Sequence, residues 1–385
     1  MTQVQEVNHG AGSDASANFN VANVVRDVRP WPARYELLDG LRGMASLTVV
    51  LHHLSVITAG HYAVMVFFVI SGYCITAAVQ SGLKNGLTFD VFMLRRLRRI
   101  FPPYLLAVAF FAATRLAKAA LHPDAAWNPS WVQWLQNLTL TQWLSLPLHP
   151  VSQASQNETL FVSAFWSLNY EEQFYLVMAI AMVIAVRFRV TTISTVLTLC
   201  IAGLAWNIAF PGGWITGVFI EYWVHFALGS LLFFVLCAYP SRSVLLAFMS
   251  ALIFLDMFCL WHLWPWQGAI SEDHSRVYLE LMVVSSMTLL LVLLRPFSTA
   301  ISRSVMWRPI AAIGTISYSL YLVHQFNLTL VHTIATHLVP TVMPSFVQMA
   351  FEVTLHIAIG AAFWWLCERP FQNRQRAPVN FPTLA

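Results

Sequence analysis

The stretch ELLDGLRGMASLTVVLHHL, residues 36–54, sets a basic pair, Arg42 and His53, into a largely apolar run. Eleven residues at about 100° each return to nearly the same helix face, and at about 1.5 Å per residue they separate the two side chains by roughly 16 Å. That is about half the hydrocarbon thickness of a bilayer. With Arg42 at one surface, His53 falls near the middle, where an ionisable side chain is expensive and marks a functional position. A neutral imidazole accepts a proton from a hydroxyl at neutral pH, which suits general-base work; the bland alternative is an interhelical hydrogen bond. The adjacent His52 points about 100° away, so at most one of the two is expected to face the interior.

Three further clusters carry chemistry. In FMLRRLRRIFPPY, residues 92–104, Arg95 and Arg99 are four apart and Arg96 and Arg99 three apart, so guanidinium groups converge on one side of a helix. Such forks suit phosphate oxygens, and the same cluster also suits topology anchoring and anionic lipid. Pro102 and Pro103 are expected to turn the chain into the membrane. In FWSLNYEEQFYLV, residues 165–177, Glu171 and Glu172 enter an apolar helix beside Trp166, Gln173 and Tyr175, more carboxylate than capping needs. In GTISYSLYLVHQF, residues 314–326, Ser317, Tyr318, Tyr321, His324 and Gln325 form a polar stripe that either glues helices together or lines a cavity shared with His53. Glu368, beside Arg369 and Pro370, reads as an interfacial ion.

The elements that must position these residues follow from composition. The 385 residues are 58% hydrophobic and 10% charged, well below the charge of about 25% usual in soluble domains. An all-α integral membrane protein is therefore expected. Apolar runs at 41–60, 62–82, 100–121, 168–186, 191–210, 215–238, 244–262, 277–294, 310–336 and 344–367 predict a bundle of about ten transmembrane helices. Eighteen of the 21 Lys and Arg residues fall in one set of loops, which predicts both termini in the cytosol. Residues 1–34 read as a mobile cytosolic tail without a signal-peptide core, 35–372 as the membrane domain, and 373–385 as a C-terminal tail. The long far-side segment, about 122–165, lacks Lys and Arg and carries Trp127, Trp131, Trp134 and Trp143. It suits a lid, a re-entrant segment or an interfacial helix, and aromatic rings also stack on sugars. Asn137 and Asn157 begin N-x-T sequons, which matter only in a eukaryotic secretory setting. The five cysteines sit in or beside apolar runs without metal-ligand spacing, so no metal is expected. The net charge of +4 does not suggest nucleic-acid binding.

Taken together, LDGLRG at 38–43 with His53 beyond it, FFVISGY at 67–73, the RRxxRIxPxY pattern from Arg95 to Tyr104, WSLNYEEQFY at 166–175 and SYSLYLVH at 317–324 resemble the acyltransferase-3 family of membrane acyltransferases. The motifs occur in the family's order over nearly all of the chain except its tails. The sequence departs from the family at His52, where an aromatic or aliphatic residue is usual, and at NYEEQ, residues 169–173, where SVEEQ is common. The resemblance implies transfer of an acyl group, most commonly acetyl, from cytosolic acetyl-CoA or another acyl-CoA to a hydroxyl of a carbohydrate or lipid-linked sugar at the far face of the cell inner membrane. It implies catalytic roles for His53, as general base or acyl carrier, and Glu171. It implies acyl-CoA binding by Arg42, Arg95, Arg96, Arg99 and Tyr104. Ser71, Trp166, Tyr175, Tyr318, Tyr321 and His324 would line the acceptor site or pore, with membrane lipid around them. No hydrolase-like domain is fused, so a second transfer step would need another protein. The runner-up reading is a proton-coupled transporter or flippase, which would also want intramembrane His and Glu but lacks obvious broken inverted repeats.

Overall fold

The computed structural model describes residues 35–372 apart from 85, 87, 123–126, 145–159, 189–190, 211–216, 239–240, 265–271 and 340–342. The two expected tails and the Asn157 sequon lie outside the described residues. Among the described residues every regular element is helical. The long helices are α1 (Leu37–His53), α2 (Gly60–Lys84), α3 (Phe89–Leu121), then, after the short α4 (Trp131–Thr139), α5 (Trp166–Phe188), α6 (Thr192–Ala209), α7 (Trp223–Phe233), α8 (Arg242–Leu263) and α9 (Glu272–Leu294). The chain closes with α10 (Ser298–Arg303), α11 (Trp307–Thr315), α12 (Ser317–Val323), α13 (Leu328–Leu338) and α14 (Ser345–Phe363).

Six of these segments are long and apolar enough to cross a membrane: Gly60–Leu83, Phe89–Leu121, Thr192–Ala209, Arg242–Leu263, His274–Arg303 and Ser345–Phe371. The other four expected spans are helical but shorter, interrupted or more polar, namely α1, α5, α7 and the series α11–α13. The layering follows from the distribution of apolar residues. In α7 and the π-helical turn that continues it to Ala238, every side chain is apolar or small except His225, and every residue is buried. A helix apolar all round belongs in the centre of a bundle. α8 instead leaves Phe254, Met257 and Trp261 exposed, as a helix facing lipid tails does.

Two helix contacts are made backbone to backbone. A Cβ added at Gly314 would lie 1.8 Å from the carbonyl oxygen of Asp39, and one at Gly43 would lie 2.0 Å from that of Ile310. α1 and α11 can meet this closely only because both positions lack a side chain. α2 and α7 repeat the device: Gly72 faces Phe226 O and Gly229 faces Val69 O, at 2.0 and 1.9 Å from the added Cβ. Thr76 Oγ1 then donates to Ser230 Oγ at 2.8 Å.

Three expectations are corrected. The first helix ends at His53, not near 60, because Ser55 takes a left-handed conformation at φ 61° and reverses the chain. Pro102 and Pro103 make no turn; α3 runs through both. Helices within a bundle tolerate proline; the N–H groups missing at Pro102 and Pro103 free the carbonyls of Arg98 and Arg99, and just beyond them Tyr318 Oη ties the C-terminal part of the bundle to α3 by donating to the carbonyl of Ile100 at 3.0 Å. The ninth expected span, 310–336, is not one helix but three, broken at Ile316 and again at 324–327. Irregular backbone at membrane depth persists where it lines a cavity, and Gly314, Thr315 and Ser317 do so.

In the 122–165 segment, α4 starts with a capping box, Ser130 Oγ accepting from Gln133 N while Gln133 Oε1 accepts from Ser130 N. The Asn137 side chain is buried and accepts from Phe161 N at 2.9 Å, so this sequon is committed to holding the loop. Residues 145–159 lie outside the description.

The glycine contacts are testable. Gly314→Val is expected to destabilise the protein by about 1–3 kcal/mol, the usual effect of overpacking. Gly203→Ala, whose added Cβ meets nothing nearer than 3.4 Å, is expected to be neutral. Thermal denaturation in detergent compares them, and equal melting temperatures would remove the close contact as a constraint.

Candidate active site

A cavity of about 470 Å³ opens among α1, α2, α3, α5, α11, α12 and the turn after α14. α3 supplies its basic wall. Phe92 and Pro103 are buried, and this fixes which face of the helix looks inward. Arg96 and Arg99 lie on that face and line the cavity, with Arg42 of α1 beside them. The Arg96 guanidinium sits 5.9 Å from the centre of the Tyr175 ring and 5.6 Å from that of Phe92. Arg42 reaches Cys74 Sγ at 3.3 Å and Asp39 Oδ1 at 4.0 Å. These arginines keep most of their hydrogen-bonding capacity for a ligand, and guanidinium forks in a partly closed cavity select phosphate or carboxylate oxygens. Arg95 faces away from the cavity and is exposed.

The opposite wall is anionic and hydroxylic. Glu171 Oε1 accepts from Tyr175 Oη at 2.5 Å and from Ser71 Oγ at 2.9 Å, two donors that hold it in place. Glu368 also lines this wall. It is 2% exposed, with Oε2 accepting from Ser319 Oγ at 2.5 Å and Oε1 from Gln372 Nε2 at 3.1 Å. The reading of Glu368 as an interfacial ion is therefore corrected. The π-helical turn Trp364–Glu368 inserts an extra residue into the last turn and rotates this carboxylate inward, out of a regular 3.6-residue register.

Ser167 and Tyr321 also line the cavity, with their hydroxyls 2.7 Å apart. Tyr321 Oη also donates to the carbonyl of Ala164. Behind Tyr321 the His324 ring follows at 5.7 Å between centroids, and the His53 ring lies 5.0 Å beyond His324. His324 Nδ1 is 2.7 Å from the carbonyl oxygen of Tyr321. A carbonyl only accepts, so Nδ1 carries the hydrogen and Nε2 keeps its lone pair. His52 has a different use. Its Nδ1 bonds Ile57 O at 3.1 Å, and its ring covers Gly60, so it holds the α1–α2 turn and leaves the interior to His53.

The expected site residues divide accordingly. Arg42, Ser71, Arg96, Arg99, Glu171, Tyr175, Tyr318 and Tyr321 meet around the cavity. His53 and His324 stand behind Tyr321 and do not line it. Tyr104 is fully buried and donates to Asn137 O at 2.5 Å, tying α3 to α4. Trp166 stacks on His61 at 5.6 Å and 17°, and His61 Nε2 is 2.6 Å from Glu280 Oε1 in a second polar cluster with Arg276. Asp39, Cys74, Ser167, Thr315 and Gln372 also line the cavity without having been assigned to it from the sequence, and Glu368, read there as an interfacial ion, joins them. Ser167 was legible from its place in WSLNYEEQFY, whereas nothing in the sequence marks the turn that brings Glu368 in. Among the described residues no group of three or more His, Cys, Asp or Glu side chains could hold a metal ion.

The chain is similar in sequence to several curated proteins. The "Putative peptidoglycan O-acetyltransferase YrhL" of Bacillus subtilis is 31% identical over 188 residues, 46% of this chain and 29% of that protein. The "Putative O-acetyltransferase SACOL0978" of Staphylococcus aureus is 25% identical over 374 residues, 89% of this chain and 58% of that protein. "Protein 2 in picA locus" of Rhizobium radiobacter is 36% identical over 88 residues, 21% of this chain and 46% of that protein. The chain thus spans less than two thirds of the length of each of these relatives. No solved structure matches it. The model of the family described as "Acyltransferase domain" matches residues 35–369, from the first described turn of the fold to the residue after Glu368, and the chain belongs to this acyltransferase-3 family.

Proposed function

We propose that the protein is an O-acetyltransferase of the cell inner membrane that moves an acetyl group from cytosolic acetyl-CoA to a hydroxyl of a carbohydrate or lipid-linked sugar on the far side. The observation that carries this reading is a single one: a cavity walled by Arg42, Arg96 and Arg99 is also lined by Tyr321, behind which His324 and His53 follow in series. Coenzyme A carries a diphosphate and a 3′-phosphate, which Arg96 and Arg99 suit. The relatives named as O-acetyltransferases support acetyl as the group and a glycan as the acceptor class. Both termini then lie in the cytosol, as the loop charges favour.

The chemistry is a direct transfer. His53 takes the proton of the acceptor hydroxyl, the oxygen attacks the thioester carbonyl carbon, the C–S bond breaks, and the departing thiolate receives the proton. His53 stands on the far side of Tyr321 from the cavity, which favours a base acting on the acceptor over a nucleophile acting on the donor. The Tyr321 hydroxyl donates to the Ala164 carbonyl and accepts from Ser167, so these two hydroxyls shape the wall in front of His324 rather than donating to the substrate. Glu171 keeps Ser71 and Tyr175 oriented toward the donor.

Purified protein in nanodiscs with labelled acetyl-CoA and a glycan acceptor tests the base. His53→Ala is expected to lower transfer by about 10²–10⁴-fold, the usual contribution of general-base catalysis, with coenzyme A binding retained. Transfer at the wild-type rate would contradict the assignment. Donor binding is tested on α3. Arg96→Ala and Arg99→Ala are expected to raise KM for acetyl-CoA by about 10-fold or more, consistent with losing a charge-assisted hydrogen bond, while Arg95→Ala leaves it unchanged. An equal effect at all three positions would point to general surface charge instead.

A further inference from the structure

A second polar cluster stands at the end of the bundle away from the arginines. α2 ends and α3 begins at the arginine end, so the first turn of α2, which carries His61, lies at the other. His61 Nε2 is 2.6 Å from Oε1 of Glu280 on α9, whose side chain is 6% exposed. A carboxylate only accepts, so in the neutral ring Nε2 carries the hydrogen and Nδ1, on the other edge, keeps its lone pair. Trp166 stacks on the ring and fixes its plane. Arg276, one turn before Glu280, brings its Nε to 3.6 Å from the same carboxylate oxygen. Behind them His225 is 1% exposed, and neither of its ring nitrogens has a hydrogen-bond partner. Its Nε2 stands 3.9 Å from Glu280 Oε2, beyond hydrogen-bonding distance.

A tie that only joins helices is closed and satisfied. This cluster is neither. The side chains of His61 and Arg276 are 32% and 28% exposed, and Arg276 Nε has no hydrogen-bond partner. Its position relates it to the donor cavity. Phe68, seven residues after His61 and so roughly 10 Å deeper, lines that cavity, and its ring packs against Trp166 at 6.1 Å and Tyr222 at 5.5 Å. Ser167, next to Trp166, lines the same cavity and meets Tyr321. One aromatic layer therefore separates the cluster from the donor cavity.

Charge limits what the cluster can hold. Glu221, Arg276 and Glu280 share a cleft of about 10 Å³, two carboxylates against one guanidinium. An anion is repelled there, whereas hydroxyl and amide groups both donate and accept and so match Glu280, Arg276 and His61 Nδ1. The cleft itself has room for about one water, so a sugar ring rests over the exposed edges of His61 and Arg276.

We propose that His61, Glu280 and Arg276 hold the acceptor at the end of the bundle opposite the donor, and that they select an uncharged sugar unit. The assignment rests on the reading of the protein as an O-acetyltransferase. The three are positioning residues that bind hydroxyls other than the reacting one.

The test uses the full-length protein in nanodiscs, with chitotetraose as the neutral probe and tetragalacturonate as the anionic one. His61→Ala and Arg276→Gln are each expected to raise KM for chitotetraose about 10-fold, the loss of one hydrogen bond to a charged group, while kcat and KM for acetyl-CoA stay within about twofold. A second readout needs no transfer. A diazirine-bearing chitotetraose is expected to crosslink to the peptides carrying His61 or Arg276, with competition by unlabelled chitotetraose and none by tetragalacturonate. If wild type crosslinks there but transfers no acetyl, the site stands and the reaction falls. Unchanged KM in both variants, or no saturable crosslink at these peptides, overturns the site. Equal competition by tetragalacturonate overturns the choice of an uncharged sugar. Should one variant fail to fold, the other decides alone.

Discussion

The contact between Gly43 of α1 and Gly314 of α11 is the constraint on which the rest depends. It presses Asp39 and Ile310 backbones against bare glycines, and it does so one residue from Arg42 and one residue before the break at Thr315–Ser317. α1 is thereby held along the broken helix series, with Arg42 beside the mouth of the break and His53 beside His324 at the end of α12. The second glycine pair, Gly72 with Gly229, locks α2 to the buried central helix and points Ser71 and Cys74 at the same space. Without a hydrophobic driving force between helices in lipid, such close packing is what gives a membrane bundle its geometry.

Much of the site was legible beforehand, because ionisable and hydroxyl-bearing residues stand out in apolar helices. Arg42, Glu171, Tyr175, Tyr318 and Tyr321 were singled out by type and spacing and Ser71 by the family resemblance, and they meet around one cavity, whereas the glycine contacts were not read from the sequence. What was not legible depends on departures from regular helix. The breaks at Ile316 and 324–327 contain neither glycine nor proline, so hydropathy reads one long span there. Glu368 is turned inward by a single extra residue in a π turn. Arg95 and Arg96 are neighbours of one type, and only the buried Phe92 and Pro103 tell which of them faces in. Tyr104 belongs to a motif, yet its hydroxyl is used to anchor α4.

The site combines two environments that water would otherwise mix. Arginine side chains on one wall suit a polyanion, and the buried His324 with the half-buried His53 suits proton transfer, with Tyr321 and Ser167 between them. In the function proposed above, donor and acceptor would approach the reacting carbonyl from opposite sides of Tyr321, and the two ends of α1, at Arg42 and His53, would serve the two substrates.

The most direct measurement is the structure of the protein with a non-transferable thioether analogue of acetyl-CoA. The account predicts phosphate oxygens within hydrogen-bonding distance of Arg96 and Arg99 and the carbonyl of the analogue beside Tyr321, on the side of the cavity nearest His324 and His53. Phosphates bound away from these arginines, or a carbonyl separated from His53 by the full depth of the cavity, would contradict it.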